Sequence, residues 1–313
     1  MKKTYLITGG TGFIGSNIVN MLLKQGQEVI VFDNNSRGKV SRIFLKSKNL
    51  IFIKGDIRKK LSLKKAFKKK ITTIIHLAYI NGTKYFYKKP DQILDIATKG
   101  LINIYDLAIK FKVKEMFLAS SSEVYHTPEK IPTLENESLK IPDIFNPRYS
   151  YGGGKILTEL YAVNFGRKFF KRTIIFRPHN VYGADMGNEH VIPEFIRRFK
   201  YLKSKTQFKI QGSGNEKRSF IHIDDFCQAF DKILKKGKNL NIYNIGTTEI
   251  VKIKKIVFLL QKIFQKKIII KHTPLRNGGT KKRCPNIDKL KKLGFKQKIT
   301  LYEGLKKIIQ NEK

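Results

Sequence analysis

The stretch YLITGGTGFIGSNIVNMLLKQGQEVIVFDN, residues 5–34, decides the fold. Its first apolar run predicts a strand, glycines at three-residue spacing predict a turn, and the apolar positions that follow recur with helical spacing. A second apolar run, residues 29–32, predicts another strand, which ends at Asp33. Strand, glycine turn, helix and strand in this order are typical of a dinucleotide-binding unit.

The three glycines have different tasks in such a unit. Gly9 permits the tight turn, Gly12 lets the backbone approach a pyrophosphate, and Gly15 lets the helix pack closely on the strand. The phosphates would lie on the free N–H groups of the first helical turn. Asp33 would accept hydrogen bonds from a ribose diol and repel a 2′-phosphate, so we expect NAD rather than NADP; nearby Arg37 argues in the other direction.

Composition limits the possible partners. A formal charge of +40 over 313 residues would suit a nucleic-acid-binding protein. The lysines, however, flank apolar stripes on predicted helices, as in residues 63–70 and 253–267, and no base-stacking or groove-reading motif accompanies them. We therefore expect no nucleic-acid partner, and a positive field that attracts an anionic substrate.

Cysteine use and hydropathy indicate the compartment. Cys227 and Cys284 lie far apart, and no apolar run approaches membrane-spanning length. No spaced cluster of His, Cys, Asp and Glu predicts a metal site. The sequence therefore predicts a cytoplasmic protein with no membrane partner and no metal.

Strands alternate with helices as far as residue 177. Further strands are expected at residues 50–53, 71–77, 115–120 and 172–177, and helices at 61–67, 92–111 and 151–170. This alternation predicts an α/β fold with a Rossmann-type doubly wound parallel sheet. Beyond residue 178 the alternation breaks down. The predicted domains are a dinucleotide-binding domain of residues 1–177, rejoined by 218–246, and a smaller C-terminal substrate-binding lobe of 178–217 and 247–313.

Tyr151 and Lys155 stand one helical turn apart, so their side chains share a face. An ammonium beside the phenol, together with the positive nicotinamide, would stabilise phenolate and lower the tyrosine pKa, which would make Tyr151 a base near neutral pH. Ser121 follows an earlier predicted strand. Its hydroxyl would share the substrate's reacting oxygen with Tyr151 while hydride leaves for the nicotinamide.

The chain resembles the extended short-chain dehydrogenases/reductases of the NAD-dependent sugar-nucleotide epimerase/dehydratase family over nearly its whole length. The segments that carry the resemblance are TGGTGFIG (8–15), HLAY (76–79) where the family usually has HLAA, SSSEVY (120–125), YGGGK (151–155), RPHNVYG (177–183) and RSFIHIDD (218–225).

The resemblance implies a set of site residues. NAD would be held by Gly9, Gly12, Phe13, Ile14, Gly15, Asp33, Asn34, Asp56, Ile57, Leu77, Ala78, Tyr151 and Lys155. The catalytic set would be Ser121, Tyr151 and Lys155, joined by Glu123. The sugar nucleotide would be bound by Ser121, Ser122, Asn180, Arg218 and Arg283, with the arginines on its diphosphate. Glu123 would either move a proton at the sugar's 5- or 6-position or only accept a hydrogen bond from a hydroxyl.

The resemblance also implies oxidation of the sugar's 4-hydroxyl to a ketone. Dehydrogenases, 4-epimerases and 4,6-dehydratases share the same three residues, so all three outcomes stay open. Residues 146–161 and 179–195 are similar to GDP-heptose 4-dehydrogenases of bacterial capsule pathways, which favours a GDP-sugar over a UDP-, CDP- or dTDP-hexose. A non-catalytic NAD-binding regulator and a basic RNA-binding protein are the alternatives from other classes.

Family members commonly pair through two long helices, here residues 92–111 and 151–170, in a four-helix contact. A homodimer or higher homo-oligomer is therefore expected. The apolar faces of these helices could equally be buried within one monomer.

Overall fold

The computed structural model describes residues 2–187, 189–274 and 280–311, which form two compact units. Unit 1 comprises the described residues up to Val124, together with Ile141–Arg177 and Asp231–Tyr243. Unit 2 comprises Tyr125–Lys140, Pro178–Phe230 and the described residues from Asn244 onward.

The secondary structure alternates strands and helices most regularly in the first half of the chain. The strands are β1 (Thr4–Thr8), β2 (Glu28–Asp33), β3 (Leu50–Lys54), β4 (Thr73–His76), β5 (Glu115–Ala119), β6 (Arg172–Pro178), β7 (Val181–Tyr182), β8 (Thr206–Gln211), β9 (Lys217–Arg218), β10 (Ile221–His222), β11 (Asn241–Ile245), β12 (Val251–Lys252), β13 (Ile268–Thr273) and β14 (Lys282–Arg283). The helices are α1 (Phe13–Lys24), α2 (Lys60–Lys64), α3 (Thr83–Lys88), α4 (Pro90–Asp95), α5 (Leu101–Lys110), α6 (Tyr149–Phe169), α7 (Val191–Tyr201), α8 (Ile223–Lys236), α9 (Ile253–Phe264), α10 (Asp288–Lys292) and α11 (Leu301–Asn311).

A seven-stranded sheet with the order β11-β6-β5-β4-β1-β2-β3 forms the centre of unit 1. The pairs from β3 through to β6 are all parallel. The order 3-2-1-4-5-6 is that of a Rossmann dinucleotide-binding fold, so the predicted α/β class is confirmed. The chain reverses its direction of sheet building between β1 and β4. In such sheets the ligand crevice lies at the carboxyl ends of the strands, at this switch point.

The strands are apolar because parallel sheets are covered on both faces. Leu6, Ile7 and Val31 are fully buried, and the core continues onto Ile104 and Leu118. This burial fixes the strands that end at the glycine turn and at the predicted catalytic serine.

Three predicted elements have different bounds in the structure. The strand expected at residues 71–77 is shorter, Thr73–His76, because Leu77 already begins the loop beyond the sheet. The helix expected at 92–111 begins at Pro90, whose missing N–H has no cost at a first helical position. A π turn, Ile96–Gly100, then joins α4 to α5. The helix expected at 61–67 divides into α2 and a 3-10 turn.

Unit 2 has its own apolar core and small sheets. Strands β12, β9 and β14 form one sheet, β8 pairs with β13, and β7 with β10. Phe199, Phe208, Ile256, Leu260 and Leu305 are fully buried or nearly so in one cluster. These elements correspond to most of the predicted C-terminal lobe.

The unit boundaries differ from the predicted domains in three places, at residues 218–230, 244–246 and 125–140. Residues 218–230 belong to unit 2, because β10 pairs with β7 there, and the chain rejoins unit 1 only at Asp231. Residues 125–140 also belong to unit 2, where the backbone N–H of Thr133 donates to the Cys284 carbonyl at 2.8 Å. Within the described ranges, no helix is long and apolar enough to cross a membrane.

Candidate functional site

The glycine turn after β1 has the geometry that its sequence demands. Gly9 adopts φ +73°, and a side-chain carbon there would lie 2.7 Å from the Ala78 backbone nitrogen. At Gly15, such an atom would overlap the Gly9 carbonyl oxygen and lie 2.8 Å from Gly10 Cα. Gly9 therefore makes the turn against β4, and Gly15 lets α1 pack on that turn.

Gly12 differs from its two neighbours in the motif. Among the described residues, an added side-chain carbon would meet only the Gly9 carbonyl oxygen, at 3.3 Å. α1 begins directly after it at Phe13, with neither a side-chain cap nor an acidic residue in the first turn. The uncapped N–H groups and the open space beside Gly12 fit a pyrophosphate, which is the part of NAD that Gly12, Phe13 and Ile14 would hold.

Asp33 ends β2 beside the same turn. Its carboxylate accepts hydrogen bonds from the backbone N–H groups of Thr11, at 3.0 Å, and Asn35, at 2.9 Å. The carboxylate is thereby fixed at the end of the strand, where a ribose diol would meet it. Arg37, which argued for a 2′-phosphate, donates to the Asn81 carbonyl and lies 4.9 Å from the centre of the Tyr85 ring.

Asp56 and Ile57, two of the residues predicted to hold NAD, follow β3. Asp56 accepts two close hydrogen bonds from the Arg58 guanidinium, at 2.7 Å and 3.1 Å, and this contact holds its pKa below the usual range. A side-chain hydrogen bond also joins Asp56 to Asn34. Ile57 is buried and packs against Gly100 in the π turn, so the carboxylate and the apolar side chain have fixed places.

The end of β4 lies against the glycine turn. The backbone N–H of Leu77 donates to the Thr8 carbonyl at 3.0 Å, and Ala78 adjoins Gly9. His76 is buried, and its Nδ1 lies 2.7 Å from the Thr8 hydroxyl. Burial, together with the nearby Lys155, lowers the His76 pKa to about 3. The histidine is therefore neutral and has a structural role.

Ser121 and Tyr151 lie close together although they belong to different elements. The serine precedes a 3-10 turn, and the tyrosine lies in α6. Both side chains are buried, and they lie close enough for the Ser121 hydroxyl to lower the Tyr151 pKa. α6 begins just before the tyrosine, since Asn146 accepts a hydrogen bond from the Arg148 backbone N–H at 3.0 Å in an Asx turn. The serine follows β5 directly. A hydroxyl and a phenol thus face a common point at the carboxyl end of the sheet.

Lys155 is fully buried one turn after Tyr151. Its ammonium donates to the Ala119 carbonyl at 2.7 Å and lies 3.8 Å from the centre of the Tyr79 ring. Burial lowers the Lys155 pKa to about 7, against the attraction of Glu159. The lysine therefore has the predicted place on the helix face.

That Lys155 and the nicotinamide together lower the tyrosine pKa stays a prediction, but Lys155 alone does not have this effect. Burial raises the Tyr151 pKa above its usual value, and the nearby Ser121 hydroxyl only partly opposes this. The reason is the direction of the ammonium, which lies against a carbonyl and the Tyr79 ring and 5.9 Å from the Tyr151 ring centre. The protein alone therefore does not make this phenol acidic.

Glu123 lies in the 3-10 turn after Ser121. Its carboxylate is 3.7 Å from the Arg148 guanidinium, and its negative charge raises the Tyr151 pKa. Ser122 is buried at the start of the same turn. The four predicted catalytic residues therefore lie together in unit 1.

A buried network beneath the site was missed by the sequence interpretation. Arg177, at the end of β6, donates to the Glu159 carboxylate at 2.8 and 2.5 Å, and the Ser120 hydroxyl donates to the same carboxylate. The signal in the sequence was weak: Glu159 stands one turn after Lys155 in helical spacing. These contacts fasten α6 to the ends of β5 and β6.

The residues predicted to bind the diphosphate meet in unit 2. Arg218 and Arg283 are register partners on the parallel strands β9 and β14. The Arg218 guanidinium donates to the Thr280 carbonyl at 2.6 Å, and that of Arg283 to the Thr280 hydroxyl at 2.8 Å. Asn180 donates to the Ser219 carbonyl at 2.9 Å, next to Arg218. The structure therefore brings two arginines and an amide into one region. Across the described ranges, no group of acidic, histidine and cysteine residues could hold a metal ion.

The sheet, the glycine turn and the serine–tyrosine pair define a dinucleotide-binding oxidoreductase. The profile of the NAD dependent epimerase/dehydratase family matches residues 5–246. The chain belongs to this family, and NAD is its cofactor.

Similar proteins cover nearly the whole chain. A putative UDP-glucose 4-epimerase of Methanocaldococcus jannaschii is 31% identical over 97% of this chain and 96% of that protein. A dTDP-D-glucose 4,6-dehydratase of Dictyostelium discoideum is 32% identical over 77% of this chain and 58% of its own length. The crystal structure of UDP-glucose 4-epimerase from Thermotoga maritima, with UDP-glucose, is 28% identical, with a TM-score of 0.88 and coverage of 98% and 97%. The chain is thus an enzyme of sugar-nucleotide chemistry.

Proposed function

We propose that this protein is an NAD-dependent sugar-nucleotide 4-epimerase in which Tyr151 removes the proton of the sugar 4-hydroxyl. The observation that carries the proposal is the burial of the Ser121 hydroxyl beside the Tyr151 phenol, with Lys155 buried one turn away. A sugar hydroxyl that accepts from Ser121 and donates to Tyr151 would be held for deprotonation by a positioned base.

Tyr151 needs an added positive charge to act as a base, because burial raises its pKa. NAD supplies a positively charged nicotinamide that accepts hydride from the sugar carbon. The glycine turn, Asp33, Asn34, Asp56, Ile57, Leu77 and Ala78 are the residues that we propose hold this cofactor. Return of the hydride to the opposite face of the 4-ketone, with Tyr151 giving the proton back to its oxygen, would yield the C4 epimer, so the sugar would be neither oxidised nor reduced overall.

The side chains that follow β5 favour epimerisation over dehydration, because they include a single carboxylate. Elimination of water requires a base that removes a proton at C5 and an acid that protonates the departing hydroxyl. Residues 121–123 offer one carboxylate, Glu123, and its contact with Arg148 at 3.7 Å stabilises the charged form. Ser122 is a poor proton donor. We therefore assign Glu123 a hydrogen bond to a sugar hydroxyl.

The nucleotide is proposed from the relatives and from unit 2. The relatives described above carry UDP or dTDP in their names, which favours a UDP- or dTDP-sugar over the GDP-heptose that the sequence suggested. Adjacent Arg218 and Arg283, with Asn180 nearby, supply the planar donors that suit a diphosphate. The chain's high positive charge would assist capture of such an anion.

A panel of sugar nucleotides tests this proposal. Purified protein with NAD is incubated with UDP-glucose, dTDP-glucose and a GDP-heptose, and the products are followed by chromatography, mass and absorbance of reduced nicotinamide. An epimerase gives a new isomer of unchanged mass. Loss of water would establish a dehydratase instead, and loss of two hydrogens with accumulating NADH would establish the GDP-heptose 4-dehydrogenase of capsule synthesis. No turnover combined with retained NAD binding would support the non-catalytic regulator.

The assembly and the compartment are further proposals. Leu94 and Ile102, along the α4–α5 segment, are 45% and 42% exposed, and Leu160 on α6 is 55% exposed. Apolar side chains on two packed helices suit a homodimer. We also propose that the protein is cytoplasmic. Light scattering at several protein concentrations tests the dimer: a mass of one chain throughout would reject it. If RNA is retained only weakly on filters, and retention does not change with salt concentration, the RNA-binding alternative is rejected.

A further inference from the structure

The aromatic side chain at position 79 occupies a place beside the proposed catalytic pair. Tyr79 follows β4 in the segment HLAY, and its ring meets the Tyr151 ring edge to face with centroids 5.3 Å apart. The Tyr79 ring has a second contact, with the Lys155 ammonium, which lies 3.8 Å from the ring centre. One side chain therefore contacts both members of the pair.

Space for this ring exists because α6 carries glycine at position 154. A side-chain carbon at Gly154 would overlap the Tyr79 hydroxyl and would lie 2.7 Å from Ala97 Cβ in the π turn. At the preceding Gly153, the same atom would meet, among the residues that the structure describes, only the end of Ile141, at 3.3 Å. Gly154 is thus a notch in the helix that is filled by a residue from a distant part of the chain.

The Tyr79 hydroxyl fills the notch at Gly154 but takes no part in the contact with Lys155. It is buried, and among the described residues it has no hydrogen-bond partner. A buried hydroxyl without a partner has a cost in free energy, so it does not explain why the side chain is held there. The ring, with its negative face towards an ammonium, does explain it.

We propose that Tyr79 is a positioning residue that holds the Lys155 ammonium in its charged form through the face of its ring. The proposal rests on the proposed function, in which Lys155 acts beside Tyr151. Burial disfavours a charged lysine, and an aromatic face restores part of the lost stabilisation. The ring thereby keeps the cation on the helix face that the phenol also occupies.

Other charged groups around Lys155 do not substitute for the ring. His76, on β4, is neutral because burial lowers its pKa to about 3. Glu159, on α6, attracts the ammonium, but its carboxylate already accepts hydrogen bonds from Arg177 and Ser120. Tyr151 contributes a neutral phenol. The Lys155 ammonium also donates to the Ala119 carbonyl, at 2.7 Å.

The test follows Lys155 itself and requires neither NAD nor substrate. Protein labelled with carbon-13 at the lysine ε position is titrated by NMR, and the signal with a midpoint near pH 7 is assigned through its absence in Lys155→Met. Tyr79→Leu keeps an apolar environment and removes the ring face. We expect its midpoint to fall by about half a unit to one unit. Tyr79→Phe keeps the face and should keep the midpoint.

The same variants then separate this proposal from the function on which it rests. With an active substrate, the alkaline limb of kcat against pH should move to lower pH in Tyr79→Leu and be restored in Tyr79→Phe, because the ammonium is lost earlier. If Tyr79→Leu does not fold, Gly154→Ala displaces the ring and should lower the midpoint, with Gly153→Ala as the control. An unchanged midpoint in Tyr79→Leu or an equal fall in Tyr79→Phe overturns the proposal. Failure of every sugar nucleotide to react would reject the proposed function. It would not affect the result of the Lys155 titration, which needs no substrate.

Discussion

Glycines 9, 12 and 15 and glycines 152, 153 and 154 both adjoin the proposed site, but different groups occupy the space beside them. The first set shapes a turn whose open side, at Gly12, faces the start of α1. The second set lies inside α6, where glycine weakens a helix, and Gly154 admits the ring of Tyr79. A glycine motif therefore marks a place where another group lies close to the backbone. Only the fold identifies whether that group belongs to a ligand or to the chain itself.

The largest expected effect separates chemistry from cofactor binding. Tyr151→Phe removes the proposed base and leaves the glycine turn untouched, so turnover should fall by about 100- to 10,000-fold. The NAD dissociation constant, measured by calorimetry, should remain within a factor of about three. Near-normal turnover would remove the tyrosine from the catalytic set.

Gly15→Ala tests the turn as a packing device. The new methyl group would overlap the Gly9 carbonyl, so we expect the free energy of unfolding to fall by about 1–3 kcal/mol. Denaturant unfolding measures this change. Gly12→Ala is the matched control, because its methyl group meets less of the protein and should reduce NAD affinity much more than stability. Equal stability losses would show that the two glycines do not have separate tasks.

Asp33→Ala examines the polar end of the same turn. Loss of a charged hydrogen-bonding partner should weaken NAD by about 1–3 kcal/mol while sugar-nucleotide affinity is nearly unchanged. Asp33→Asn, which keeps an acceptor for the Thr11 N–H, should have a smaller effect. Calorimetry with each ligand checks both variants, and parallel losses for NAD and sugar nucleotide would contradict a ribose role.

The smallest effects compare two neighbouring helix glycines. Gly153→Ala should raise the free energy of unfolding by about 0.5–1 kcal/mol, because alanine favours a helix and the site has room. Gly154→Ala should instead lower the free energy of unfolding by about 1 kcal/mol, because the methyl group displaces Tyr79. If both variants gain stability, the notch at Gly154 does not hold the ring.

The sequence was sufficient for the parts of the fold that depend on local pattern. The apolar runs predicted the strands, and the motif after β1 predicted a turn that the structure has. The direction of the Lys155 ammonium could not be predicted in this way, because it depends on Tyr79, which approaches only after β4 and α6 have packed. The same reason applies to the point of return at Asp231, which depends on the pairing of β10 with β7.

The buried contact among Glu159, Arg177 and Ser120 has a consequence for how this enzyme can change over evolutionary time. Removal of one charged partner would strand the other in the interior, at a cost of about 3–5 kcal/mol, whereas joint replacement by apolar residues can be tolerated. Single substitutions at these positions should therefore be disfavoured in any lineage, and new sugar preferences should arise elsewhere in the chain. The chemistry would be inherited intact while specificity diversifies.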